Sequence, residues 1–104
     1  MARVAAIVPD LFFASKVKET LTAAGHDVAI GPPPARAQVD VLIVDLDAAG
    51  DVEPSQGVPS LGFYSHVDAA TRDRALAAGF DLVVPRSRMA REMPELVARL
   101  LGSA

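Results

Sequence analysis

The carboxylates of Asp10 and Asp45, the hydroxyl of Ser65 and the guanidinium of Arg86 are the side chains best placed for chemistry. Each follows an apolar run, and so lies at or just past the end of an expected strand. Each also has a plain structural reading. Asp10 can cap a helix, and Asp45 can accept bonds from backbone N–H groups where a strand ends. Ser65 can be an ordinary loop hydroxyl, and His66 beside it a surface residue. A metal site built from His66, Asp45 and Asp47 is conceivable, but no ligand-spacing motif joins them. Ser65 is not part of a G-x-S-x-G elbow. Neither G-x-G-x-x-G nor G-K-[ST] occurs, so a flavin or dinucleotide site is unsupported. Cysteine is absent, which excludes disulfides, thiolate metal sites and a cysteine nucleophile.

The elements that must position these groups follow from hydrophobic patterning. Arg3 to Val8 is apolar, β-branched at Val4, Ile7 and Val8, and stopped by Pro9, which predicts a buried strand. Leu11 to Ala24 sets Phe13, Val17, Leu21 and Ala24 on one helical face, and Gly25 fits the position after the helix. Phe12 and Phe13 are adjacent, so one stripe cannot bury both, and the other is expected over the loops or against a partner. His26 is expected to be exposed. Asp27 to Ile30 reads as a short strand before Pro32, Pro33 and Pro34, which suit neither strand nor helix interior. Val41 to Val44 is the most apolar segment, and Asp45 closes it. Leu61 to Tyr64 and Asp81 to Val84 are further strands. Asp68 can cap a helix running to Ala78 and ended by Gly79. Ser87 can cap a last helix with Met89, Met93, Leu96, Val97, Leu100 and Leu101 on its apolar stripe. The strands are apolar runs rather than alternations, the mark of a parallel sheet covered on both faces. The expectation is one α/β domain over residues 1–104: a doubly wound, five-stranded parallel sheet. Its site would lie at the carboxyl ends of strands one and three.

Composition narrows the function. The chain has 104 residues, 51% of them hydrophobic and 22% charged, an ordinary globular balance for one small domain. A net charge of −3 argues against general nucleic-acid binding. The apolar runs are too short to cross a membrane, and Pro9 interrupts the first too early for a signal peptide. A cytoplasmic location is therefore expected. Between Arg36 and Arg72 there is no Lys or Arg, only the acids Asp40, Asp45, Asp47, Asp51, Glu53 and Asp68. Arginine then returns in Arg72, Arg74, Arg86, Arg88, Arg91 and Arg99, giving an acidic middle and a mildly basic end.

In this order the segments resemble the receiver domains of two-component response regulators. The matching stretches are Val8, Pro9 and Asp10; Val41 to Asp45; Gly62 to Ser65; and Ala78 to Arg86, where Ala-Gly precedes Phe80 and Asp81 and Pro85 precedes Arg86. The resemblance implies a flavodoxin-like strand order 2-1-3-4-5, with Asp45 equivalent to the phosphoacceptor and Ser65 and Arg86 to the switch residues. It also implies Asp10 and Asp45 as ligands if Mg²⁺ is bound. An acyl phosphate on Asp45 would set a dianion among carboxylates, so Mg²⁺ with oxygen ligands would have to balance it.

The sequence departs from this pattern. Pro9 stands where one acid of the family's pair would be, Arg86 replaces a lysine, and Ala48-Ala49 replaces Met-Pro. The intervals Gly31 to Val39 and Leu46 to Pro59 are too short for full helices, so helices two and three should be shortened or missing. These departures point to a degenerate receiver, a pseudo-receiver that is not an enzyme and needs no cofactor. It would act through a protein partner or homodimer on the face from Asp68 to Leu101, with Arg72, Arg74, Arg88 and Arg91 as contact residues. Neither nucleic acid nor membrane is expected as partner. Two alternatives stay open: an active stand-alone receiver phosphorylated on Asp45 in a phosphorelay, and a small-ligand-binding flavodoxin-like domain. The Arg86 fork is further expected to reach across the sheet and pair with Asp45.

Overall fold

The computed structural model describes residues 2–31, 39–47, 57–65 and 69–102. The elements run β1 (Arg3–Ile7), α1 (Leu11–Ala23), β2 (Asp27–Ile30), β3 (Val41–Asp45), β4 (Ser60–Tyr64), α2 (Ala69–Ala78), β5 (Leu82–Pro85) and α3 (Arg86–Gly102). The strands form one sheet in the order β2-β1-β3-β4-β5, and every neighbouring pair is parallel. This is the expected doubly wound order. The intervals expected to hold the shortened second and third helices lie mostly outside the described residues, as do the Asp68 cap and His66.

Strand residues alternate between two apolar layers because successive side chains point to opposite faces. One layer joins Val4, Ala6, Val41, Ile43, Leu61, Phe63 and Val84 to α1 and α3 through Phe13, Val17, Leu21, Met89, Met93 and Val97. The other joins Ala5, Leu42 and Val44 to Ala75 and Phe80, with Leu46, Val39 and Val58 packed against it. Both layers are apolar, so β3 is buried along its whole length. That is why its sequence is a run and not an alternation.

The helices end and begin on local chemistry. At the end of α2, Gly79 has φ +110°. Its N–H donates to the Leu76 carbonyl at 3.1 Å, and the Phe80 N–H donates to the Ala75 carbonyl at 3.1 Å. These are the two bonds of a Schellman stop, and Phe80 packs back on Ala75 as that motif favours. The last helix begins at Arg86, directly after Pro85, so Ser87 lies inside its first turn and does not cap it. Within α3, Glu92 leaves helical geometry at φ −118°, ψ 16°, two residues before Pro94. The Pro94 ring lacks an N–H and crowds the carbonyl of Ala90, which breaks the ladder there.

The amino end of the sheet is tied by side chains to backbone. Asp81 Oδ2 accepts the Ser60 N–H at 2.9 Å and Asp40 Oδ2 accepts the Arg3 N–H at 2.8 Å. His26 is half-buried, not exposed as expected, and its Nδ1 accepts the Ala2 N–H at 3.4 Å.

Candidate functional site

The right-handed crossovers of a doubly wound sheet bring the carboxyl ends of the strands and the N-termini of the helices to one end of the domain. Asp10, between β1 and α1, is the N-cap of α1 with extended backbone angles. Its Oδ1 accepts the N–H groups of Phe12 at 3.0 Å and Phe13 at 3.3 Å, satisfying donors that a helix start leaves open. Its Oδ2 accepts from Arg86 Nη2 at 2.6 Å, a short charge-assisted bond. The Asp10 carboxyl is consequently held below the ordinary carboxylate value. The Arg86 hydrogen bond is the largest cause, followed by the Phe13 N–H, with partial burial opposing them.

Arg86 opens α3. Its guanidinium carbon sits 4.3 Å from the centroid of the Phe13 ring, within cation–π range. The Phe13 ring in turn meets Phe63 of β4 with centroids 5.0 Å apart, tilted by 49°. A core aromatic, a helix aromatic and a cation thus connect the sheet to the surface.

The expected Arg86–Asp45 pair is not formed; the guanidinium pairs with Asp10 instead. Arg86 begins α3 and Asp10 caps α1, so both belong to the helix layer on the same face of the sheet. Asp45 lies within the sheet layer and is only 2% exposed. By strand alternation it points to the face of Val41 and Ile43, which α1 and α3 cover.

At the exit of β3, Asp45 Oδ1 accepts the Asp47 N–H at 3.1 Å, a local Asx-type bond. Asp47 then turns its own carboxylate to β4, where Oδ2 accepts the Ser65 N–H. Leu46 continues the connection: its N–H donates to the Phe63 carbonyl at 2.9 Å. Its side chain lies over Gly62, where an added Cβ would come within 2.9 Å of Leu46 Cδ1. A side chain at that point of β4 would make the Leu46 side chain move aside.

The structure therefore brings Asp10 and Arg86 into contact and links Asp45 to Ser65 by way of Asp47. Sequence reasoning missed two participants. Asp47 is named there only as a conceivable metal ligand, although a carboxylate two residues past a strand end is a familiar loop acceptor. The role of Phe13 as the bed for Arg86 has a signal too, since it stands three residues after the Asp10 cap and so faces the same end.

The arginines expected at a partner face sit on α2 and α3, flanking the edge strand β5. Arg72 pairs with Asp73 at 3.6 Å, Arg88 with Glu92 at 3.3 Å and Arg91 with Glu92 at 4.0 Å. Arg74 Nη2 donates to Thr71 Oγ1 at 3.3 Å. Leu76 of α2 is exposed, and at the start of α1 Leu11 and Phe12 are 80% and 90% exposed. Phe13 is 7% exposed, so of the adjacent pair it is the one the core takes.

No protein-family model matches the chain, and no curated protein matches it. Solved structures do. The Francisella response regulator 1452 receiver domain superposes with a TM-score of 0.80 at 14% identity, covering 99% of this chain and 98% of that one. The chemotaxis response regulator CheY4 of Vibrio cholerae gives 0.79 at 19% identity, covering 97% and 99%. The ChxR receiver domain of Chlamydia trachomatis gives 0.71 at 20% identity, again covering 97% and 99%. The fold is receiver-like. It spans nearly the full length of each of these receivers, and the resemblance read from the strand ends is one of architecture.

A receiver fold brings with it the question of Mg²⁺, whose small ion asks for near-octahedral oxygen donors. Pro9 supplies a carbonyl but no carboxylate. Both oxygens of Asp10 are engaged, one by the α1 cap and one by Arg86. Among the described residues no three His, Asp or Glu side chains gather closely enough to share a metal ion. The donors as arranged do not fit the ion.

Proposed function

We propose that this chain is a receiver-type signalling module that works through protein–protein contact without phosphorylation of Asp45. The observation that carries the reading is the Asp10–Arg86 ion pair at 2.6 Å on a receiver-like fold. The acid and the cation at the strand ends satisfy each other, and neither is turned to a phosphoryl group. Phosphorylation needs a cation to neutralise charge as it develops and a donor set already aimed at the phosphoryl oxygens.

The contact surface in this reading is formed by α2, β5 and α3. Exposed Leu76 lies on α2 with Arg72 and Arg74, and α3 carries Arg88 and Arg91. The carboxylate partners of Arg72, Arg88 and Arg91 moderate the positive charge, so the face suits a mixed partner surface with an acidic component, or a second copy of the chain. Complementary charge of this kind chiefly raises the association rate and makes it salt-sensitive.

Incubation with Mg²⁺ and acetyl phosphate, read by intact mass, tests the proposal. The mass is expected to stay unchanged. A gain of one phosphate that disappears in Asp45→Asn would establish an active receiver in its place. For the contact face, charge reversal at Arg72 and Arg88 together should weaken whatever association the chain shows. Unaltered association would move the contact elsewhere.

A further inference from the structure

The poor fit of the acidic strand ends to Mg²⁺ has a specific structural cause. We infer that the Arg86 guanidinium is a built-in counter-cation, held where its charge replaces that of a divalent metal and keeps the metal out. The inference concerns the cation alone and stands apart from which partner the module binds.

Geometry supports it on three sides. The guanidinium is held from two sides: Nη2 sits 2.6 Å from Asp10 Oδ2 and the guanidinium carbon 4.3 Å from the Phe13 ring centroid. The Arg86 side chain is only 30% exposed, so its attraction to Asp10 is less screened than at an open surface. Both Asp10 oxygens already accept, Oδ1 from the first turn of α1 and Oδ2 from Arg86. A metal ion at Asp10 would have to share Oδ2 with the guanidinium, one cation close beside the other, or uncap the helix at Oδ1.

Charge gives the same answer. Two cations beside one carboxylate repel each other at close range, and a partly buried setting strengthens the repulsion. Pro9 offers no second carboxylate to relieve it. The planar fork also suits this task better than an ammonium would. It can donate to a carboxylate edge and lie over an aromatic ring at once, and it carries a weaker hydration shell to lose. An Arg in this position therefore has a role distinct from that of a Lys, which is a strongly hydrated point charge on a flexible stem.

The test uses the full chain, treated with EDTA and then titrated with MgCl2 alone, with NaCl of matched ionic strength as the control. The amide shifts of Asp10, Leu46 and Ser65 and the thermal midpoint are followed together. The parent chain is expected to show no saturable response. Arg86→Met keeps an apolar stem against Phe13 and so protects the fold, while removing the charge. It is expected to bind Mg²⁺ at least about tenfold more tightly than the parent, because a unit positive charge beside the ligand has gone. Adding Asp10→Asn to Arg86→Met should abolish that gain. A saturable Mg²⁺ response in the parent that Asp10→Asn removes would overturn the inference. So would an Arg86→Met chain, shown folded by its amide spectrum, that binds Mg²⁺ no better than the parent. Either result would leave the mass measurement on Asp45 to decide the phosphorylation question independently.

Discussion

Phe13 holds Arg86 by its ring: the guanidinium carbon is 4.3 Å from the ring centroid, and the same ring lies 5.0 Å from that of Phe63 in the core. One aromatic side chain thus works in two media, apolar packing below and a cation above. Replacing Phe13 with Leu keeps apolar volume but removes the π face. The cation–π contact and the aromatic pair are each worth about 0.5–1 kcal/mol or somewhat more, so Phe13→Leu should cost about 1–2 kcal/mol in urea unfolding. Phe12→Ala, one residue away but 90% exposed, should stay within about 0.5 kcal/mol of the parent.

Acid should expose the Asp10–Arg86 bond. Because the folded carboxyl lies below its ordinary value of 3.8, the ionised form is favoured by folding. Its stabilisation is fully present above that ordinary value and is lost as pH falls through the lower folded one. The stability gap between the parent and Arg86→Met should therefore be widest above pH 3.8 and close below it. In NMR the Asp10 carboxyl carbon should titrate at higher pH in the variant. A gap that does not change with pH would remove the ion pair from the account.

The Asp47 carboxylate is the tie between the exits of β3 and β4, since it accepts the Ser65 N–H. Asp47→Ala should cost about 0.5–1.5 kcal/mol, the net value of one such bond. It should also speed hydrogen exchange at the Ser65 amide while leaving the β3 amides protected. Asp47→Asn, which keeps an acceptor oxygen without the charge, should fall between the two.

Gly62 and Leu46 should be coupled. An added methyl at position 62 meets Leu46 Cδ1 at 2.9 Å and its Cγ at 3.1 Å, so Gly62→Ala should destabilise by about 1–3 kcal/mol as overpacking does. With Leu46→Ala already present the clash has no partner, and most of that cost should vanish. A double-mutant cycle should return a coupling of about 1 kcal/mol or more; strict additivity would contradict the contact.

Most of the fold was legible because its signals are local or repetitive. The apolar runs from Val4 and Val41 mark strands buried on both faces, and Gly79 marks the helix stop it makes. Asp10 was legible as a cap for the same reason, the N–H groups that donate to it being two and three residues away. The Asp10–Arg86 pair was not, since 76 positions separate the partners and their meeting depends on which layer each occupies. Counting strands placed Arg86 within reach of Asp45. What decided the matter was that Arg86 enters the helix layer, where a capped α1 and the Phe13 ring were waiting. Ser87 misled in a related way, since after Pro85 the helix starts at Arg86, two residues sooner than a cap at Ser87 implies.

The break in α3 makes that helix a jointed rod. The front piece carries Arg86 and the anchor Met89; the rear piece, from Pro94, carries Leu96, Val97 and Leu100 in the core. Glu92 sits at the joint, and its carboxylate is tied back to Arg88 on the front piece at 3.3 Å. A jointed rod does not pass torque along its length as a straight one does. The aim of the guanidinium is thereby set within its own short arm, by the Met89 anchor, Asp10 and the Phe13 ring.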